Sequence, residues 1–576
     1  MTNQRKVQSS LSVAVTGSGG AGVMTAGGFL LEAAARSGWF GLMTRSVGPQ
    51  IRGGEAAALL RFSNRRVDVP AESYNILFVV DWLNFDRFSA EIHLTPDTMV
   101  IADPDSGEVP EVVVKSGARM FDMPVKQVLG AIEGGRPNML ATGVVGGIIG
   151  LPIDTIYELI QDNLGSKGEK AVNSSKATVE AGYRFAETLT DAPALAEPKK
   201  SDKRRWIITG NEAAGLGAVR GGVRFAAAYP ITPGTEILEW LAPNLRKLGG
   251  ALVQAEDELA SINMVIGGSY GGVPAITATS GPGLALMTES IGLAVAAEVP
   301  CVIVDVMRGG PSTGIPTKSE QSDLNIAVYG LHGDAPHIVT APNSVSDCLF
   351  TTQWSVYLAE AMQTPAIVLS DQFIGQAKIV IDPPADIAFV GKRLLAQNIE
   401  GEYRRYAVTE SGVSPMAVPG VAGGQHTADG LEHNPRGTPS TRAEDHMTQM
   451  NKRLRKITGF DYGSHWAEID GEGELAVLTW GSCTAAALEA VEAAREAGIA
   501  VKLISLRLIS PCLPDAMAKA LEGVKKVLVV EQTHSGQFAN YLRAQYELPS
   551  EVRSYHIPGP LTIRPSEILS QIQDWS

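Results

Sequence analysis

From residue 206 onward, short apolar runs alternate with helix-patterned stretches, and this alternation confines the chain to one broad architecture. RWIIT, ALVQ, AITATS and CVIVDVM read as strands, the alanines before YPITP read as helix-like, and ELASINMVIGG and GLALMTESIGLAV carry helical patterning. Strands separated by single helices imply a mostly parallel sheet covered on both faces, a doubly wound α/β domain. In such sheets ligands bind at the carboxyl ends of the strands. YPITP, the AEDE run, TSGPG and MRGGPSTGIPT all fall there, so they are the places to look for chemistry.

At 576 residues the chain exceeds a single core, and about 150 residues per domain suggests three or four domains. LSVAVTGSGGAGVMTAGGFLLEAAARSG opens a first α/β domain over residues 1–193, and ALAEPKKSDKRR, 194–205, reads as a linker. The doubly wound domain covers 206–395. A stretch rich in Gly, Pro and polar residues follows over 396–465 and reads as an irregular excursion. Residues 466–576 return to strand–helix–strand patterning. The net charge of −14 argues against nucleic acid as a partner. No run of about 20 apolar residues suggests a membrane span, and the polar start MTNQRKVQSS does not resemble a signal peptide, so a cytoplasmic location is expected. The four cysteines, 301, 348, 483 and 512, show no CxxC spacing, so neither zinc nor an iron–sulfur cluster is expected in this chain.

Four features carry candidate chemistry. Gly17, Gly19, Gly20 and Gly22 form a strand-to-helix turn suited to a phosphate, without the clean spacing of a dinucleotide fingerprint, and Arg52 lies in a second glycine-rich loop. In YPITPGTEI, Pro230 and Pro233 stiffen a loop that either ends one element and starts the next, or presents Thr232 to a ligand. Glu256, Asp257 and Glu258 open a helix, where carboxylates are favoured in any case, but Glu258 enters an apolar helix and could hold a ring nitrogen. Arg308 ends a buried strand, placed either for an ion pair or for a bidentate grip on a carboxylate, with Thr317 nine residues on.

Together YPITPGTEI, QAEDELASINMVIGGSYGG, TATSGPGLALMTE and MRGGPSTGIPTKSEQSD resemble the alpha subunit of 2-oxoacid:ferredoxin oxidoreductases, and GSGGAGV with GPQIRGGEA resembles their gamma subunit, fused in front. Within that family the 2-oxoglutarate enzymes are the most similar. The resemblance implies an α/β multidomain fold: a gamma-type domain, a pyrimidine-type domain of thiamine diphosphate enzymes, and a transketolase C-terminal-like domain. It implies Glu258, in preference to Glu256, at the aminopyrimidine N1′ of thiamine diphosphate, with Pro230 and Ile231 lining the cofactor. Arg308, Thr232 and Thr317 would bind the oxoacid, and the gamma-type loops with Gly17, Gly19, Gly20, Gly22 and Arg52 would serve coenzyme A.

The chain has no GDG with paired asparagines about 25–30 residues later, so the diphosphate half-site and its Mg²⁺ are expected on a beta subunit, with the 4Fe-4S cluster. The implied reaction is CoA-dependent decarboxylation of 2-oxoglutarate to succinyl-CoA with electrons to ferredoxin, or its reverse, in an (alpha-beta)2 heterotetramer. A branched-chain, aromatic or pyruvate-type substrate is the nearest alternative. A non-catalytic scaffold subunit is an alternative of another class, and NAD at Gly17–Gly22 is a third.

Overall fold

In the computed structural model, residues 7–18, 20–47, 56–83, 85–189, 191–198 and 204–576 are described. Gly19, Arg52 and residues 199–203 lie outside them. The chain forms two units, residues up to 209 with 377–386, and 210–376 with 387–576.

The first unit is built on eight strands, in the order Arg119–Asp122, Met99–Ala102, Ile76–Val79, Ser10–Gly17, Ala56–Ser63, Phe40–Val47, Lys378–Ile381, Trp206–Thr209. The first four run parallel and the remaining pairings are antiparallel. Helix Val23–Arg36 follows the glycine turn and buries Leu30 and Leu31. Gly22 has φ 77°, and a β-carbon there would fall 2.8 Å from Asn138 Nδ2, so the turn needs glycine on both counts. The helices Pro137–Ile149 and Glu169–Glu187 approach through Gly143 and Gly182, where a β-carbon at 182 would meet Val144 N at 2.6 Å.

Two sequence-based boundaries shift. The expected linker begins as a strand, because Ala194–Leu195 pairs with Val7–Gln8, and Trp39 Nε1 donates to the Ala196 carbonyl at 2.8 Å. Trp206–Thr209, expected to open the doubly wound domain, instead pairs with Lys378–Ile381 and so extends the first unit's sheet. Arg205 secures this edge by placing its guanidinium 3.5 Å from the Phe40 ring centroid.

The second unit holds the doubly wound sheet, in the order Ala251–Gln254, Phe225–Ala228, Ala275–Thr279, Val302–Met307, Ala366–Asp371, Ile338–Thr340, Leu508–Ser510. All pairings are parallel except the last. A second sheet of five strands, Ala467–Asp470, Val501–Leu506, Leu475–Trp480, Lys526–Glu531 and Glu551–His556, forms the C-terminal part.

The stretch 396–465 is irregular as far as its last third, where Ala443–Thr458 is a helix. A buried ion cluster holds it. Glu298, fully buried with φ 52°, accepts from Lys452 Nζ and, at 3.0 Å, from Lys456 Nζ, while Arg405 donates to its carbonyl at 2.7 Å. Burial drives Lys452 down to about 7 despite the Glu298 charge, whereas the three cations hold Glu298 far below the usual carboxylate range against its own desolvation. One carboxylate thus faces three buried cations. Glu298→Gln is expected to cost about 3–5 kcal/mol, the scale for removing one partner of a buried ion pair. Denaturant unfolding, with proteolysis mapped across 396–458, checks this; an unchanged midpoint and cleavage pattern would contradict it.

Candidate active site

The YPITP loop joins strand Phe225–Ala228 to helix Thr235–Lys247. Asn211 Nδ2 donates to the Pro233 carbonyl at 3.0 Å and to Glu236 Oε2 at 3.1 Å, and Gln376 Nε2 donates to Glu236 Oε1 at 2.9 Å. Glu236 therefore does more than favour a helix start: it anchors the loop to two neighbouring elements. A β-carbon at Gly234 would come within 2.8 Å of the Thr279 carbonyl, which fixes the loop against the next strand end. Held this way, Pro230, Ile231 and Thr232 remain partly exposed.

Glu258 starts helix Glu258–Tyr270, capped by Asp257, whose Oδ1 accepts from Ala260 N at 2.7 Å. Glu258 is only 6% exposed, whereas Glu256 is exposed. The three acids have thus divided: one faces water, one caps, one is buried. The Glu258 side chain lies against Gly283 at the start of helix Gly281–Ala296. A β-carbon at 283 would sit 2.8 Å from Glu258 Oε1 and would overlap Thr279 Oγ1. The second glycine of TSGPG is therefore a steric requirement of this carboxylate's position.

Arg308 leaves strand Val302–Met307 buried, and its Nη1 donates to the Thr232 carbonyl at 2.6 Å, tying together two strand-end loops. After it the chain doubles back: Gly309 N donates to Lys318 O at 3.1 Å and Ile315 N to Gly309 O at 2.8 Å. This returns half-buried Thr317 to the neighbourhood of residue 309. Gln321 then fastens the loop to the C-terminal sheet, donating from Nε2 to Trp480 O at 2.9 Å and accepting from Gln532 N at 2.8 Å.

Two acids here escaped the sequence reading. Asp305, in the same buried strand as Arg308, is fully buried, and Asp323 follows the Thr317 loop. A carboxyl inside CVIVDVM was the visible signal, since a charge in an otherwise apolar strand needs a partner.

Gly17, Gly20 and Gly22 belong to the first unit, where Asp81 Oδ2 accepts from Ser18 N at 3.0 Å and Ser18 Oγ at 2.8 Å. A carboxylate already occupies one amide of that turn. All four cysteines are free thiols, and burial pushes Cys301 up to about 12. Among the described residues no group of three or more His, Cys, Asp or Glu could hold a metal, and no helix is long and apolar enough to cross a membrane.

A buried carboxyl at a helix entrance, backed by a glycine and flanked by a partly exposed strand-end loop, suits the pyrimidine ring of thiamine diphosphate. Comparison with known proteins agrees with that class. Residues 216–452 match the family described as "Pyruvate flavodoxin/ferredoxin oxidoreductase, thiamine diP-bdg". Residues 12–185 match "Pyruvate ferredoxin/flavodoxin oxidoreductase", and 464–547 match the transketolase C-terminal domain.

The chain is 32% identical over 480 residues to the 2-oxoacid:ferredoxin oxidoreductase 2 alpha subunit of Aeropyrum pernix, covering 77% of this chain and 74% of that one. It is 36% identical to the 2-oxoglutarate synthase subunit KorA of Methanothermobacter marburgensis, covering 64% of this chain and 98% of that one. The solved 2-oxoglutarate:ferredoxin oxidoreductase of Magnetococcus marinus, with 2-oxoglutarate, coenzyme A and succinyl-CoA bound, superposes with a TM-score of 0.91 at 34% identity, covering 98% of this chain and 99% of that one. The fold is that of a multidomain thiamine diphosphate oxidoreductase subunit. More particularly, the chain belongs to the 2-oxoacid:ferredoxin oxidoreductase family, as an alpha subunit with a gamma-type domain at its front.

Because Gly283 backs Glu258, Gly283→Ala is expected to displace the carboxylate and lower oxoacid-dependent activity of the purified complex at least about tenfold, or 1.4 kcal/mol. Thermal unfolding run alongside separates this from misfolding, and full activity would contradict the steric reading.

Proposed function

We propose that this chain is the alpha subunit of a CoA-dependent 2-oxoglutarate:ferredoxin oxidoreductase, acting in the cytoplasm and completed by a beta subunit in an (alpha-beta)2 assembly. The observation that carries the reading is the gathering of Glu258, Thr232 and Arg308 around the ends of adjacent parallel strands. The named relatives and the Magnetococcus marinus structure support 2-oxoglutarate as substrate and coenzyme A as acyl acceptor. The missing diphosphate motif and CxxC pairs support placing Mg²⁺ and a 4Fe-4S cluster on the beta subunit, which would pass electrons to ferredoxin.

When bound, thiamine diphosphate supplies the nucleophilic carbon and electron sink that decarboxylation of a 2-oxoacid requires. Glu258 would hold a proton in a hydrogen bond to pyrimidine N1′, in a site dry enough to make that bond strong. Pro230 and Ile231 would line the ring and keep water from it. Arg308 would take the oxoacid carboxylate, with its geometry set by the Thr232 carbonyl, while the hydroxyls of Thr232 and Thr317 would orient the acid. In the gamma-type domain, a coenzyme A phosphate at the Gly17–Gly22 turn would compete with Asp81 for the Ser18 amide.

The test is the co-purified complex assayed for ferredoxin reduction against a panel of 2-oxoacids, with 2-oxoglutarate expected to give the highest kcat/KM. A branched-chain, aromatic or pyruvate-type preference would redirect the substrate assignment. Glu258→Ala should lower turnover by about 10²–10⁴-fold; retained turnover would make the chain a scaffold. Arg308→Lys should raise the oxoacid KM by about 10–100-fold, because an ammonium cannot reproduce the bidentate fork. An unchanged KM would remove Arg308 from the substrate site.

A further inference from the structure

Asp305 and Asp323 make an unusual pair beside Arg308. Neither Asp305 oxygen has a hydrogen-bond partner among the described residues, nor does Asp323 Oδ2, and both acids lie beside the end of one strand, Asp305 opposite Thr279 and Asp323 over Gly281. Burial, and then the neighbouring Asp323 charge, hold the Asp305 carboxyl well above the usual carboxylate range, so a proton shared by the two acids stays on Asp305, the more deeply buried. Asp323 occupies the space over Gly281, where a β-carbon would fall 2.5 Å from Oδ2 and 2.7 Å from Oδ1, so its position depends on glycine there. Nearby, Arg308 Nε is buried without a partner while Nη1 is committed to the Thr232 carbonyl.

The charges decide what the pair can do. With both acids ionised, they and Arg308 sum to −1 and would oppose an incoming carboxylate. One shared proton brings the sum to zero, and a second leaves the full positive charge for the substrate. We propose that Asp305 and Asp323 are positioning residues for Arg308 that share one proton in the free enzyme and take up a second when a 2-oxoacid carboxylate is seated on the guanidinium. This rests on the reading of Arg308 as the carboxylate site.

The groups facing the pair are Arg308, which favours its ionised form, and Glu320, which opposes it; Glu320 in turn faces the exposed His534 of the C-terminal part. Desolvation pushes Asp323 up to about 6. The sign follows: below that pH the second proton is already in place, and above it binding must recruit one, so affinity falls as pH rises.

The experiment measures the oxoacid KM of the complete complex from pH 5.5 to 8.5, for the natural protein, Asp323→Asn and Asp305→Asn. The natural enzyme should show KM rising above about pH 6, with a limiting slope of tenfold per pH unit, and Asp323→Asn should flatten it. If Asp323→Asn does not fold, Asp305→Asn and the natural profile still decide. A flat natural profile between pH 6 and 8 overturns the proposal, as does a slope that survives in both variants, which would assign it to Glu320 or His534. Should Arg308→Lys leave KM unchanged, the substrate assignment itself fails. Should it raise KM while the slope survives Asp323→Asn, only the present inference fails.

Discussion

Parallel pairing of Phe225–Ala228, Ala275–Thr279, Val302–Met307 and Ala366–Asp371 brings four strand ends to one edge, and the candidate site depends on that constraint. A parallel sheet buried on both faces offers polar groups few places to go except the loops where its strands stop. The register aligns Thr279 with Asp305, so Glu258's support and Arg308's carboxyl neighbours arise on adjacent strands. The hydrogen bond from Arg308 to the Thr232 carbonyl then joins loops that are 76 residues apart in sequence. Rigidity here comes from several short tethers, Asn211, Gln376 and Gln321 among them, each costing little ordering entropy because its own backbone is already fixed.

Much of this was legible in the order of residues. The strand–helix alternation announces the doubly wound sheet, and proline chemistry marks YPITP as a stiff loop. Periodicity could not choose between Glu256 and Glu258, because both sit near a helix start; burial separates them, and burial is set by how Gly281–Ala296 packs. Gly283 reads as an ordinary turn residue until the side chain behind it is seen. Asp305 and Asp323 are 18 residues apart, on either side of a loop that reverses through Gly309 and Ile315, and no local pattern encodes that reversal. Likewise the composition of 396–465 marks it as irregular but gives no hint that Lys452 and Lys456 turn inward to Glu298. Where long polar side chains point is a tertiary outcome.

Buried charge serves two ends in the second unit. Around Glu298, one carboxylate meets three cations, and the cluster locates a long irregular segment that has little regular backbone bonding of its own. Around Arg308 the balance is reversed, with two acids to one cation, and an excess of acid can be relieved by a proton. The first arrangement fixes position and the second leaves a charge adjustable, although both are assembled from the same residue types.

The first unit's sheet draws two of its eight strands, Lys378–Ile381 and Trp206–Thr209, from sequence that follows the linker. Cutting the chain at residue 193 would strip both away and uncover the side of Phe40–Val47 where Leu42 and Met43 meet Ile379 and Lys378. An open edge of that kind is a template for self-association. The join between the domains is thus a matter of edge protection as well as of connectivity: an isolated front domain would need a different cover for that edge, and a boundary at residue 193 is not where the folded unit ends.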